Sequence, residues 1–209
     1  MPNPQSEPVT EVFRPRTTKW FVGIAVALTA AAVLSAGWTN GAGGVLATAP
    51  LFLIPVAAAW LFWYPSVRVS ALGVRLDNPF RTVEVPWAAL IHVDTKFALK
   101  LVTPKGSYTA WAAPAPGVWG THAGKPEHLR NLPGTTYGAG GSVRPGDLSN
   151  TDSGQAARMV RERWELLVNA GRIDPDQTDT ARAAVSFNWR WILGMVLAAA
   201  ALFALAGLA

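Results

Sequence analysis

Residues 21–67 form a run of 47 positions without a single charged side chain or histidine. No soluble surface is built from such a stretch, so it dictates the architecture before any other feature. A helix rises about 1.5 Å per residue and the hydrocarbon core of a bilayer is about 30 Å thick, so about 20 apolar residues cross it. The run is twice that length. It is interrupted by TNGAGG at residues 39–44, a turn-rich connector between antiparallel helices. The reading is a helical hairpin, about 20–38 and about 45–64. A third apolar stretch, residues 191–209, reaches roughly 28 Å as a helix and is expected to span as well.

Tryptophans favour the headgroup level of a membrane, and Trp20, Trp38, Trp60, Trp63, Trp189 and Trp191 all fall at or near the expected ends. Pro50 and Pro55 lie inside the second span and should bend it, because each lacks a backbone donor. Arg14, Arg16 and Lys19 precede the first span, the 39–44 connector has no basic residue, and Arg68 follows the second. By the positive-inside rule the N-terminus and the central region face the cytoplasm of a plasma-membrane protein. Arg182 and Arg190 put the approach to the third span on the same side, with the C-terminus outside. A cleaved signal over residues 14–37 is the rival reading, opposed by the length of the apolar run and by the span that follows it.

Composition agrees with this division. Hydrophobic residues make up 50% of the chain and charged residues 15%, against about 25% charged in an ordinary soluble domain. Without cysteine there are no disulfides, no thiolate nucleophile and few structural zinc possibilities. A net charge of +5 is spread without a basic block, so nucleic acid is not an expected partner.

After Tyr64 the pattern changes to period two, the mark of strands with one buried face. Val67 and Val69 alternate with Arg68 and Ser70; Val74 and Leu76 with Arg75 and Asp77; Val83, Val85 and Trp87 with Thr82, Glu84 and Pro86. NPFR and TPKGS supply turns. Ile91, Val93, Leu99, Leu101, Tyr108, Ala110 and Ala112 continue the series, so about six short strands make an antiparallel meander that curls into a small barrel or sandwich. Residues 114–154 are rich in Gly and Pro and read as a long loop. Residues 155–171 then form an amphipathic helix, capped by Ser153 or Asp152 and ended by Gly171, with an apolar stripe of Val160, Trp164, Leu167 and Val168. Asp174, Pro175 and Gln177 resemble a capping box, and a short helix is expected to lead into Trp191.

Strands followed by one helix with a central tryptophan is the order of a pleckstrin-homology (PH) domain. More specifically, LGVRLDNPFRTVEVPWAALIHVDT, LKLVTPKGSYTAWAAPAP and VRERWE resemble the bacterial PH-like domain of small actinobacterial membrane proteins, with two spans before the domain and one after. The resemblance implies a PH-like barrel on a membrane anchor. It implies neither phosphoinositide binding nor a reaction, since the first hairpin offers only Arg68 and Arg75 beside an apolar turn.

The expected fold class is therefore an α+β membrane protein: three transmembrane helices plus a small antiparallel β PH-like barrel closed by a C-terminal amphipathic helix. Its layout is an N-terminal cytoplasmic segment 1–19, the hairpin 20–64, the PH-like domain 65–171, a juxtamembrane linker 172–190 and the third span 191–209.

No catalytic, cofactor or metal site is expected. His92 points away from a strand's core face, and His122 and His128 lie with Glu127 in the loose loop without a third rigid ligand. GAGGS at residues 138–142 lacks the strand and the Lys-Ser/Thr of a phosphate loop. The spans hold nothing ionisable, against an ion relay. Ala25, Ala31 and Ala32, and residues 198–201, offer small faces for self-association or a membrane partner. The function expected is a non-enzymatic interaction module that holds a protein partner or scaffold at the membrane. Two alternatives stand beside it: sensing of anionic lipid headgroups through Arg75, Arg81, Lys96 and Lys100, and service as an accessory subunit of an envelope enzyme or transporter.

Overall fold

The computed structural model describes residues 10–15, 18–116, 144–173 and 181–208. The chain divides into two units, one of residues 1–15 and 66–186 and one of residues 16–65 and 187–209.

The second unit is helical. Helix α1, Thr18–Ala47, is interrupted at Gly41, whose φ of 59° only glycine adopts without strain. There the chain turns back on itself. Phe21 stacks on Phe62 with ring centroids 5.5 Å apart, Thr29 Oγ1 donates to Leu51 O at 3.5 Å, and a Cβ on Gly44 would lie 2.2 Å from Ala36 O. These pairs converge on the 39–44 connector, which is the signature of an antiparallel hairpin.

The returning limb differs from the expected second span. After the last residues of α1 it breaks into a 3₁₀ turn, Ala49–Phe52, a short helix α2, Leu53–Ala58, and a π-helical turn, Ala59–Trp63. Pro50 and Pro55 bring no backbone donor to the limb, and at its end Tyr64 N donates to Ala59 O, five residues back. Ala49–Trp63 is thus a shorter apolar helical stretch, which continues the limb that the last residues of α1 begin after Gly41. Among the described residues two helices, not three, are long and apolar enough to cross a membrane: Thr18–Ala47 and Trp189–Ala206. In both, most apolar side chains are uncovered, with Trp20, Leu28, Leu34, Trp38, Val196 and Phe203 all exposed.

The first unit holds two antiparallel sheets. One has five strands in the order β1 (Glu11–Phe13), β2 (Ser66–Val69), β3 (Gly73–Asp77), β4 (Arg81–Pro86) and β8 (Ala184–Phe187). The other has three: β5 (His92–Asp94), β6 (Ala98–Thr103) and β7 (Gly106–Pro114). The expected closed barrel is thus replaced by two sheets. Pro86 cannot donate to a ladder, so β4 ends there and a 3₁₀ turn, Trp87–Ala89, separates the sheets.

Asn78 ties the sheets together from the β3–β4 turn. The β6–β7 register shifts between Ala98 and Lys100, which frees backbone groups on β7. Asn78 Nδ2 donates to Thr109 O at 2.9 Å, and Trp111 N donates to Asn78 Oδ1 at 2.7 Å. One amide side chain does the work of a strand neighbour.

Helix α3, Asp152–Asn169, covers the core formed by Val67, Leu76, Val83, Leu99, Leu101 and Ala112. Its N-cap is Thr151, whose Oγ1 accepts from Gly154 N at 3.0 Å; Asp152 and Ser153 already lie inside the helix. Its inward face is Ala156, Ala157, Val160, Arg161 and Leu167, with Trp164 half-buried and Val168 exposed. A charged residue therefore sits where an unbroken apolar stripe is expected. Arg161 Nη1 donates to Asp147 Oδ1 at 2.6 Å, and its Nη2 donates to Val93 O at 3.0 Å. Thr95 Oγ1 donates to the same Asp147 oxygen at 2.8 Å. The end of the expected 114–154 loop is consequently fixed: Asp147 and Gly146 are buried in a 3₁₀ turn, Pro145–Asp147. The loop's His122, Glu127, His128 and 138–142 segment lie outside the described residues, as does the Asp174 capping box. In place of a helix leading into Trp191, the described residues give strand β8 and then helix α4, Trp189–Ala206.

Candidate functional site

The outer face of the five-stranded sheet follows from strand pairing. Val67, Val69, Val74, Leu76, Val83 and Val85 point inward and are buried, so their alternate neighbours share the other face. Register places Arg68 opposite Arg75, and Arg75 opposite Glu84. The next row is Ser66, Asp77 and Thr82.

Two arginines directly opposite each other repel. Asp77 relieves this from the adjacent row. Its Oδ1 accepts from Arg75 Nε at 2.8 Å and its Oδ2 from Ser66 Oγ at 3.0 Å. Arg68 Nε lies 2.8 Å from Oδ2, but off the N–H axis, so that contact is an ion pair rather than a directed hydrogen bond. On the other side, Arg75 Nη1 donates to Glu84 Oε1 at 2.7 Å. The hydrogen bond to Asp77 is the main reason the Arg75 pKa is raised above its usual value; burial opposes it and the Glu84 charge adds to it.

Beside this row lies a cleft of about 500 Å³. Arg68, Arg75 and Glu84 line it from the central strands, Leu72 from the β2–β3 turn, Thr10 from the approach to β1, and Arg182 from the approach to β8. Gly73 pairs with Pro86, so the row beyond Arg75 and Glu84 carries no long side chain and leaves the hollow open. Trp87 Nε1 donates to Ser70 O at 3.0 Å and fixes the β2–β3 turn at its edge.

The four residues singled out by sequence are divided between the sheets. Arg75 and Arg81 belong to the five-stranded sheet, with Arg81 exposed at the start of β4. Lys96 is exposed in the β5–β6 turn, its Nζ 5.1 Å from the Phe97 ring centroid, and Lys100 is half-buried in β6 opposite Asp94. Only Arg75 lines the cleft. Sequence reasoning passed over Arg68 and Arg182 as site residues. Arg68 had a signal, since it flanks the same turn as Arg75; Arg182 had none. Among the described residues no three His, Asp or Glu side chains group as a metal site.

Antiparallel strands covered by one helix are the part of the anticipated geometry that the fold keeps, with two sheets in place of the barrel. Residues 64–163 match the family model of a bacterial PH domain. The match covers a little under half of the chain, from the start of β2 to the middle of α3, and this segment is similar to a bacterial PH domain. β1, β8 and the two long apolar helices lie outside the match. No curated protein and no solved structure matches the chain.

Proposed function

We propose that this protein is a membrane-anchored PH-like interaction module, held at the cytoplasmic face of the plasma membrane and serving a protein partner rather than a reaction. The observation that supports it is the placement of the PH-like domain between apolar helices. Only Tyr64 and Pro65 separate the π-helical turn from β2, and only Asn188 separates β8 from α4. Exposed apolar side chains along α1 and α4 call for an apolar surrounding, and a bilayer supplies it. A domain tethered so closely meets other membrane proteins at an effective concentration near the millimolar range, where weak contacts suffice.

Headgroup sensing by Arg75, Arg81, Lys96 and Lys100 is the alternative. Their division between two sheets, and the hold of Asp77 and Glu84 on Arg75, make them a weaker patch than four free cations.

The chain has no cysteine, so single cysteines report its topology cleanly. In intact cells an impermeant maleimide should label Asn40→Cys and leave Lys105→Cys unmodified until the membrane is opened. Photo-crosslinking from Lys96 and Lys100 should then yield a discrete adduct with a cytoplasmic or membrane protein. Labelling of Lys105→Cys in intact cells, or a chain that stays monodisperse in buffer without detergent, would overturn the proposal.

A further inference from the structure

The three-stranded sheet presents an outer face of a different kind. Along β7, Ala110 and Ala112 are buried, so Thr109 and Trp111 point outward; along β6, Leu99 and Leu101 are buried, and Lys100 points outward opposite Thr109. Two turns are drawn to the same face. Phe97 O, in the β5–β6 turn, accepts from Ala115 N at 3.0 Å, which brings that turn to the end of β7. The two bonds of Asn78 to Thr109 and Trp111 bring in the β3–β4 turn, where Phe80 and Arg81 follow. Phe80, Phe97 and Trp111 are 47%, 75% and 50% exposed. Single exposed apolar side chains are ordinary, but three aromatics around one stretch of strand form a patch.

Cations stand among these rings. Arg81, Lys96 and Lys100 make no ion pair among the described residues, and Lys96 Nζ lies 5.1 Å from the Phe97 ring centroid. Asp94 is the only acid in the sequence from residue 85 to residue 116, and Arg144 engages it. The face is therefore apolar and positively charged at once, with no counter-charge of its own.

We infer that this face binds an acidic segment of the partner protein, one that carries aromatic or leucine side chains between its carboxylates. This rests on the partner-holding role and names the chemistry of the partner. Buried aromatic anchors supply most of the binding energy of a protein interface, and complementary charge selects the partner and speeds its arrival. A bilayer suits the face less well. An interfacial wedge sinks its apolar groups about 5–10 Å into the headgroup boundary, whereas Trp111 stands within a strand beside Thr109 and Lys100. Hydrocarbon would strip Thr109 of water and return nothing, while a peptide brings its own donors and acceptors.

The test uses the full chain in phosphatidylcholine nanodiscs. A short fluorescent peptide of glutamates interrupted by tryptophan and leucine is titrated in at fixed ionic strength and followed by anisotropy. One comparison peptide has glutamine for glutamate, another serine for the apolar residues. Saturable binding of the first, with both others at least about tenfold weaker, supports the inference. Trp111→Thr, Phe97→Ser and the double variant Lys96→Gln, Lys100→Gln should each weaken binding at least about fivefold. Lys105→Gln, on the β6–β7 turn, should bind as wild type. Equal binding of the glutamine peptide overturns it, as does wild-type binding by Trp111→Thr and Phe97→Ser proteins whose β6 amides keep their exchange protection. Protection of the β7 amides in discs doped with phosphatidylglycerol, without a response to the peptide, assigns the face to lipid and also overturns it. In cells, a discrete adduct from a photo-reactive residue in place of Glu84, on the other sheet, with none from Lys100, would keep the partner-holding role and remove it from this face.

Discussion

Asp77 and Asp147 are equally sealed from solvent, at 2% and 3% exposure, and both face guanidinium groups, yet they stand in opposite settings. Asp147 is held by Arg161, whose side chain is 7% exposed, with Thr95 donating to the same oxygen. Its charge and its partner's are both inside, between α3 and the β5–β6 turn. Asp77 is held by Arg68 and Arg75, whose side chains are 43% and 46% exposed. There the anion is buried and the cations reach water. A closed pair fastens a helix to a sheet and has nothing to offer a ligand; an open cluster keeps donor edges free. Counting salt bridges would treat the two alike, whereas the exposure of the cation separates a fastener from a site.

The largest expected effect lies on the closed side. Arg161→Met leaves Asp147 ionised and buried without a counter-charge, which costs about 3–5 kcal/mol. Urea unfolding of the full chain in mild detergent, read through exchange of the β6 amides, should show that loss. Adding Asp147→Asn should recover a good part of it, because the stranded charge is then gone. A loss below about 1 kcal/mol for Arg161→Met would mean that the pair is not closed, and the comparison would fail. On the open side, Asp77→Asn should cost only about 1–2 kcal/mol in the same assay, since Arg68 and Arg75 can turn to water. A cost for Asp77→Asn equal to that of Arg161→Met would erase the distinction.

How much of this was legible in the sequence follows from the range of the interactions. Alternation around Ser70 and Ala71 reveals a hairpin, and a hairpin puts Arg68 beside Arg75, so half of the cluster is written locally. The helix is equally plain, but an amphipathic reading sorts residues by polarity and so sends Arg161 outward; Asp147, fourteen positions away and inside the Gly/Pro-rich loop, brings it in. β1 and β8 have three and four residues, too short for any period, and exist because the sheet edges offer them partners. Arg182 arrives with β8 and is invisible for the same reason. The long apolar run announces its two limbs, but the break of the second into 3₁₀, α and π pieces around Pro50 and Pro55 is something hydropathy does not record.

A third aspartate sharpens the comparison with the smallest effect. Asp152 lies in the first turn of α3, partly buried, and makes no ion pair among the described residues. A helix N-terminus favours a carboxylate, yet desolvation wins and raises its pKa above the usual value. The sign is opposite to that of a paired carboxylate. Because the folded form holds the proton more tightly than the unfolded form, stability falls as pH climbs from the ordinary carboxylate pKa through the raised one, and the full cost persists above it. Asp152→Asn should therefore remove a declining limb from the stability–pH curve and leave the protein no less stable at neutral pH. The comparison is made between wild type and variant unfolded at a series of pH values from 3 to 7. A limb that rises with pH in wild type and vanishes in Asp152→Asn would mean that this carboxylate has found a cation, and that burial without a partner is not its condition.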